Sequence, residues 1–251
     1  MSGRILYLGD DTLKGSAGYV GGVMNANGLA YDYVESAERF SDARLAETPS
    51  AIIISDYPAA NFPAGAMERL AEVVHHGCGL LMIGGWDTFR GLHGLYDRSP
   101  LAAVLPVEME HGDDRLNWPY PCLVVKDHEH EILDGLPFDV PPTIGGCNRV
   151  RAKSGSQTIL TARFFEPRRT GAIWGIEPVE SHPLLCVGSH GQGRTACYTS
   201  DFAPHWCGGS VDWGTPRMSC AVAGRTVEVG SLYARLVTQL IRWVADAGGK
   251  S

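Results

Sequence analysis

The residues with the greatest chemical capacity stand together late in the chain, in Ser200-Asp201-Phe202-Ala203-Pro204-His205-Trp206-Cys207. A carboxylate, an imidazole and a thiol are the groups that general acid–base and nucleophilic catalysis use. Asp201 and His205 are therefore candidate catalytic residues. His205 and Cys207 are not a pair by spacing alone, since covalent catalysis needs about 2.6–3.2 Å between thiol and base and a third group to orient the base. The same segment equally suits a structural role, with Asp201 accepting backbone N–H bonds and Trp206 filling a cavity. A second cluster, Gly84-Gly85-Trp86-Asp87-Thr88-Phe89, joins a tight glycine turn open to a ligand with Asp87 as a further candidate. Asp87 and Thr88 also suit the capping of a helical turn. A third, Asp127-His128-Glu129-His130, has the composition of a metal site. On an extended segment His128 and His130 point the same way and would hold one zinc ion, given a third ligand such as Asp201 or His205. HExxH is absent, and a solvated polar turn is the plainer reading of that stretch.

The first two clusters each follow an apolar run, so the elements that position them are strands. Residues 80–83 are continuously apolar before Gly84, and residues 195–199 precede Ser200. Residues 5–8 and 51–54 are similar runs ending in Gly9-Asp10-Asp11 and Ser55-Asp56, and runs without alternation suit strands covered on both faces. Between them, Tyr19, Val20, Val23 and Met24 recur at helical spacing, and Pro63 opens a helix with Met67, Leu70, Val73 and Val74 on one stripe that Gly77 stops. Residues 29–34 read as a second strand, residues 101–105 as a short helix, residues 111–120 as an exposed excursion, and residues 150–162 as one or two strands. Residues 184–187 and 195–199 flank a glycine-rich turn and read as a late β-hairpin. The clearest helix runs from about Val229, with Leu232, Tyr233, Leu236, Val237, Leu240, Ile241 and Val244 at spacings of three and four. Strand–helix alternation with short connections predicts a doubly wound α/β fold with a mostly parallel sheet and helices on both faces, which binds ligands beyond the carboxyl ends of its strands. If the strands before the first two clusters are neighbours, both clusters face one crevice.

Composition narrows the functions. A formal net charge of -7 and no basic block with interleaved aromatics argue against nucleic acid as a partner, although Arg168 and Arg169 could hold a small anion. No run of about 18 apolar residues exists, so membrane insertion is not expected, and the first residues read as a strand and not as a secretion signal. Gly15, Gly18, Gly21 and Gly22 do not spell GxGxxG, and Lys14 precedes them where a phosphate-binding loop would have it follow. No cofactor is expected. Seven cysteines, an odd count without CxxC, suit reduced thiols in the cytoplasm.

The stretches at residues 51–58, 79–89, 99–106 and 199–206 together resemble the class I glutamine amidotransferase-like superfamily, over nearly the whole of residues 1–251 as a single flavodoxin-like domain. In active members a cysteine flanked by glycines sits on a sharp strand-to-helix turn, and a histidine and a glutamate follow a late strand. The resemblance puts Gly85 at the nucleophile position and Asp201 near the histidine position, with His205 displaced downstream. It implies a non-catalytic binding or assembly module, with a small polar ligand or a protein partner. The alternative is a hydrolase of altered chemistry using Asp201, His205 and Asp87, with or without a metal. Homo-oligomerisation is an expectation from fold analogy, with Trp118 and Tyr120 as contributors.

Overall fold

Four short apolar runs form the centre of the molecule. The computed structural model describes residues 3–246. In chain order the regular elements are β1 (Ile5–Gly9), α1 (Gly18–Ala26), β2 (Tyr31–Val34), β3 (Ala51–Ser55), α2 (Ala66–His75), β4 (Gly79–Ile83), α3 (Leu101–Val104), β5 (Val107–Met109), β6 (Arg115–Lys126), β7 (Thr143–Asn148), β8 (Val150–Ala152), β9 (Gln157–Thr170), β10 (Ile173–His190), β11 (Gly193–Tyr198), α4 (Pro204–Cys207), β12 (Arg217–Val222), β13 (Arg225–Gly230) and α5 (Ser231–Ala245).

Nine strands make one sheet in the order β2-β1-β3-β4-β11-β10-β9-β6-β7. The first five run parallel. From β11 onward every pairing is antiparallel. β5–β8 and β12–β13 form two small antiparallel pairs beside it.

Alternate residues of the parallel strands enter two cores, as the period of two requires. Tyr7, Ile53 and Leu81 pack with Val20 and Met24 of α1 and with Leu236, Val237 and Leu240 of α5. Leu8, Ile54 and Met82 pack on the other side with Leu70 and Val74 of α2 and Leu101 of α3. The glycines of α1 serve close packing. A Cβ at Gly22 would lie 3.0 Å from Val227 and 3.1 Å from Cys220, so the β12–β13 pair sits directly against the helix backbone. Among the described residues no helix is long and apolar enough to cross a membrane.

Two sequence expectations change. Residues 111–120 are largely exposed as expected, but residues 115–120 belong to β6 and are not a loop, and Asp114 is fully buried. The first strand of the late hairpin extends far beyond the apolar residues that mark it, because β10 begins at Ile173 and pairs with β9 as a two-stranded ribbon through Pro167, Arg168 and Arg169 to a turn at Gly171. Arg168 pairs with Glu177 at 3.3 Å and Arg169 donates through Nε to the Gly171 carbonyl at 2.8 Å.

Candidate functional site at the strand ends

Four parallel strands end in register, Gly9 beside Ser55, Ser55 beside Ile83 and Ile83 beside Tyr198. The next residues are Asp10, Asp56, Gly84 and Thr199, so two carboxyl groups, a glycine turn and the start of the Ser200-Asp201 segment meet at one edge. Asp10 and Asp56 take left-handed backbone angles, φ 51° and 40°. Aspartate tolerates that region better than most side chains, and it turns the chain sharply off each strand.

Asp10 and Asp201 are almost wholly buried. Burial, then the neighbouring charges of Asp56 and Asp11, pushes the Asp10 carboxyl up to about 8. The same causes, burial first and then Asp10 and Asp56, hold Asp201 well above the carboxylate range, against the opposing Ala203 N–H bond at 2.9 Å. Asp56 is pushed up to about 6, chiefly by burial, while the Asp87 N–H works the other way. Burial thus raises all three carboxyl groups, and the charge of Asp56 adds to the rise at Asp10 and Asp201. Near them the Asp10 Oδ2, Ser55 Oγ and Tyr7 hydroxyl have no hydrogen-bond partner among the described residues.

The turn after β4 is filled by its own neighbours. A Cβ built at Gly85 would collide with the Asp56 carboxyl, approaching Oδ2 to 2.5 Å. The Gly85 N–H donates to Asn148 Oδ1 at 2.9 Å, and Asn148 Nδ2 returns a bond to the Gly85 carbonyl at 3.1 Å. The Asp87 N–H donates to Asp56 Oδ1 at 2.7 Å. Asn148, at the end of β7, is held by Asp114, which accepts from Asn148 Nδ2 at 2.8 Å and from the N–H groups of Arg90 and Gly91 at 3.0 and 2.9 Å. Backbone donors that could stabilise an oxyanion are therefore bonded within the chain.

Outside this closed layer lies a surface group. Trp86 is 40% exposed. The Arg115 guanidinium lies 4.5 Å above its ring, and the His205 ring meets it edge-on at 5.9 Å. Arg115 is also bonded twice to Asp113, a contact that, ahead of every other influence, holds Asp113 down at about 2. Asp87 contacts His93 Nδ1 at 3.1 Å.

The structure brings His205 against Trp86, pairs Asp87 with His93, and puts Asp201 in the inner group. No hydrogen bond joins Asp201 to His205 among the described residues. Asp10, Asp56, Asp114 and Asn148 were not read as site residues, although Asp10 and Asp56 each end an apolar run and so carried the same signal as Gly84. All seven cysteines are free and buried. Cys207 Sγ lies 2.8 Å from Ser210 Oγ, and burial pushes its thiol far up. Cys78 stands at the other end of β4, its thiol pushed up by burial to about 12. Among the described residues no three His, Cys, Asp or Glu side chains converge as metal ligands. His128 is exposed, whereas His130 accepts the Ile132 N–H at 3.2 Å and packs on Trp243 at 5.2 Å. A surface hollow of about 520 Å³ lined by Val124, Leu136 and Phe138 includes none of the strand-end residues.

A family model described as putative glutamine amidotransferase matches residues 56–220. No curated protein matches the chain. Two solved structures from Salmonella typhimurium, the cytoplasmic proteins STM3548 and STM1381, are each 25% identical and cover 96% of this chain. They are covered over 98% and 99% of their own lengths, with TM-scores of 0.73 and 0.74.

Proposed function

Because the chain belongs to this glutamine amidotransferase family, we propose that it is a single-domain member that does not hydrolyse glutamine and serves as a binding or assembly module. One observation carries the reading: the Asp56 carboxyl fills the space that a side chain at Gly85 would need. Thioester formation requires a thiol on that turn and free N–H groups beside it. Residues 83–87 include no cysteine, serine or threonine, and the N–H groups of Gly85 and Asp87 already donate to Asn148 and Asp56. Of the carboxyls beneath, Asp56 accepts the Asp87 N–H and Asp201 the Ala203 N–H, so both are engaged within the chain.

Contact falls instead to the outer group. An exposed tryptophan flanked by arginine and histidine has the composition of an interaction hot spot, and a small polar ligand or a protein partner would meet Trp86, Arg115 and His205 first. Hydrolysis through Asp201 and His205 lacks comparable support, since one side chain is inside the protein and the other on its surface. A cytoplasmic location is supported by seven free thiols and by the description of the two Salmonella relatives as cytoplasmic.

The test is incubation with glutamine and, separately, with a diazo-ketone glutamine analogue that alkylates catalytic thiols. No ammonia above the blank and an unchanged intact mass are expected. Turnover, or one added label on any cysteine, would overturn the proposal.

A further inference from the structure

The ribbon formed by the outer parts of β9 and β10 runs from Arg163 opposite Ser181 to Thr170 opposite Ile173. Residues facing each other across an antiparallel pair share a face. Trp174 opposite Arg169, Ile176 opposite Pro167, and Pro178 opposite Phe165 therefore make one face apolar except for Arg169, while Glu166, Glu177, Arg168 and the tip residue Ile173 lie on the other. Trp174 and Ile176 are 67% and 65% exposed, and Ile173 at the tip is 74% exposed. A two-stranded ribbon with a bare apolar face is marginal in water and needs cover.

We propose that this face packs against the same face of a second copy, about a two-fold axis passing close to Pro167 and Ile176. Charge selects the partner. The chain carries a net -7 and repels its own copy, yet residues 163–182 hold three arginines (163, 168, 169) and three glutamates (166, 177, 180) and are locally neutral. A neutral ribbon has little pull on anionic lipid or nucleic acid, and it is an apolar surface on which two acidic copies meet without local repulsion. The pattern is also self-complementary. Reversal about Pro167 and Ile176 sets Trp174 on Pro178 and Arg169 on the Phe165 ring, and leaves the charged Arg168, Glu166 and Glu177 on the outer faces in water. Pro167 and Pro178 lack N–H groups and spoil the edges for strand addition, which leaves the face. A ribbon about eight residues long spans about 25 Å. Two such faces bury on the order of 1,000 Å², the low end for a specific interface, so the dimer is expected to dissociate at micromolar concentration.

Sedimentation velocity of the full chain from 1 to 100 µM tests the idea. The weight-average mass is expected to rise from 27.1 kDa toward twice that value. Trp174→Ser and Ile176→Asp should weaken association roughly tenfold or more with unchanged circular dichroism. Because the native cysteines are buried, Ile176→Cys should form a disulfide-linked dimer under mild oxidation, and Thr170→Cys, far from the axis, should not. A wild type monomeric at 100 µM overturns the proposal, as do variants that associate like the wild type or equal cross-linking at both positions. Binding of a monomeric wild type to phosphatidylserine vesicles, lost in Trp174→Ser, would assign the ribbon to a membrane instead.

Discussion

At the carboxyl ends of β1, β3 and β11 the protein draws three carboxyl groups inward, whereas on the ribbon of β9 and β10 it leaves Ile173, Trp174, Ile176 and Val179 in water. Both regions reverse the ordinary partition of polar and apolar groups. They differ in what satisfies them. The strand-end layer is answered largely by its own chain: Asn148 occupies the Gly85 peptide, Asp56 takes the Asp87 N–H, and Asp114 gathers three donors, while Asp10 Oδ2, Ser55 Oγ and the Tyr7 hydroxyl stay unpartnered among the described residues. The ribbon has no such internal answer. The hydrogen bonds of the strand ends are made mostly within the chain, while the exposed apolar side chains of the ribbon are met by nothing among the described residues.

The sharpest way to break this comparison is Asp114→Ala. It strands the N–H groups of Arg90 and Gly91 and the Asn148 amide in a buried site. Each unpaired buried donor costs about 1–3 kcal/mol, so urea unfolding should register a loss of about 3–5 kcal/mol. Glu166→Ala on the ribbon should stay within about 0.5 kcal/mol. Equal effects of the two would dissolve the distinction between a closed region and an open one.

The protonated layer gives the next largest effect. The Asp10 carboxyl is pushed up to about 8 and Asp56 to about 6, from ordinary values near 4. An acid raised on folding contributes stability that is whole below the unfolded value and is lost as pH rises through the folded one. Stability should therefore fall between about pH 4 and 8, by a few kcal/mol, with the Asp56 share gone by about pH 6. Asp10→Asn keeps the shape, removes the titration and should flatten the urea midpoint between pH 5 and 8. A variant as pH-sensitive as the wild type would show that the cost lies elsewhere.

Gly85→Cys puts a thiol on the turn after β4 and meets the Asp56 carboxyl. Overpacking of this kind costs about 1–3 kcal/mol, and the thermal midpoint should drop accordingly. Ammonia release from glutamine should remain at the blank, because the donors beside the thiol are still taken. Measurable turnover would mean that Asp56 yields easily and that the layer is less closed than its hydrogen bonds imply.

How much of this could be read from residues alone depended on whether the signal was local. β1, β3 and β4 are unbroken apolar runs, and α2 and α5 carry stripes at three and four, so burial on one face announces each of them. Gly85 and Asp201 stood out because each closely follows such a run. Asp10 and Asp56 do too, but in Asp10-Asp11 and Asp56-Tyr57-Pro58 they look like turn residues. Asp114 was hidden in Asp113-Asp114-Arg115, where charge density suggests a solvated loop. Its burial depends on donors from residues 90, 91 and 148, which no local pattern predicts. The ribbon escaped notice for the converse reason: a strand pair that leaves the core needs no alternation of burial, and its prolines and arginines read as loop.

The smallest effect is the one that separates packing from docking. Ile176→Ser removes an apolar side chain from a position where the isolated chain gives it little cover, so at 0.5 µM, below the expected dimer range, urea unfolding should shift by no more than about 0.5 kcal/mol. At 100 µM the wild type gains stability by mass action from any partner that binds only the folded state, and the variant does not. The difference between the two midpoints should therefore widen with concentration. If it is large already at 0.5 µM, Ile176 is packed within its own chain and the ribbon belongs with the closed region; if it stays small at both concentrations, the bare face is not what joins two copies.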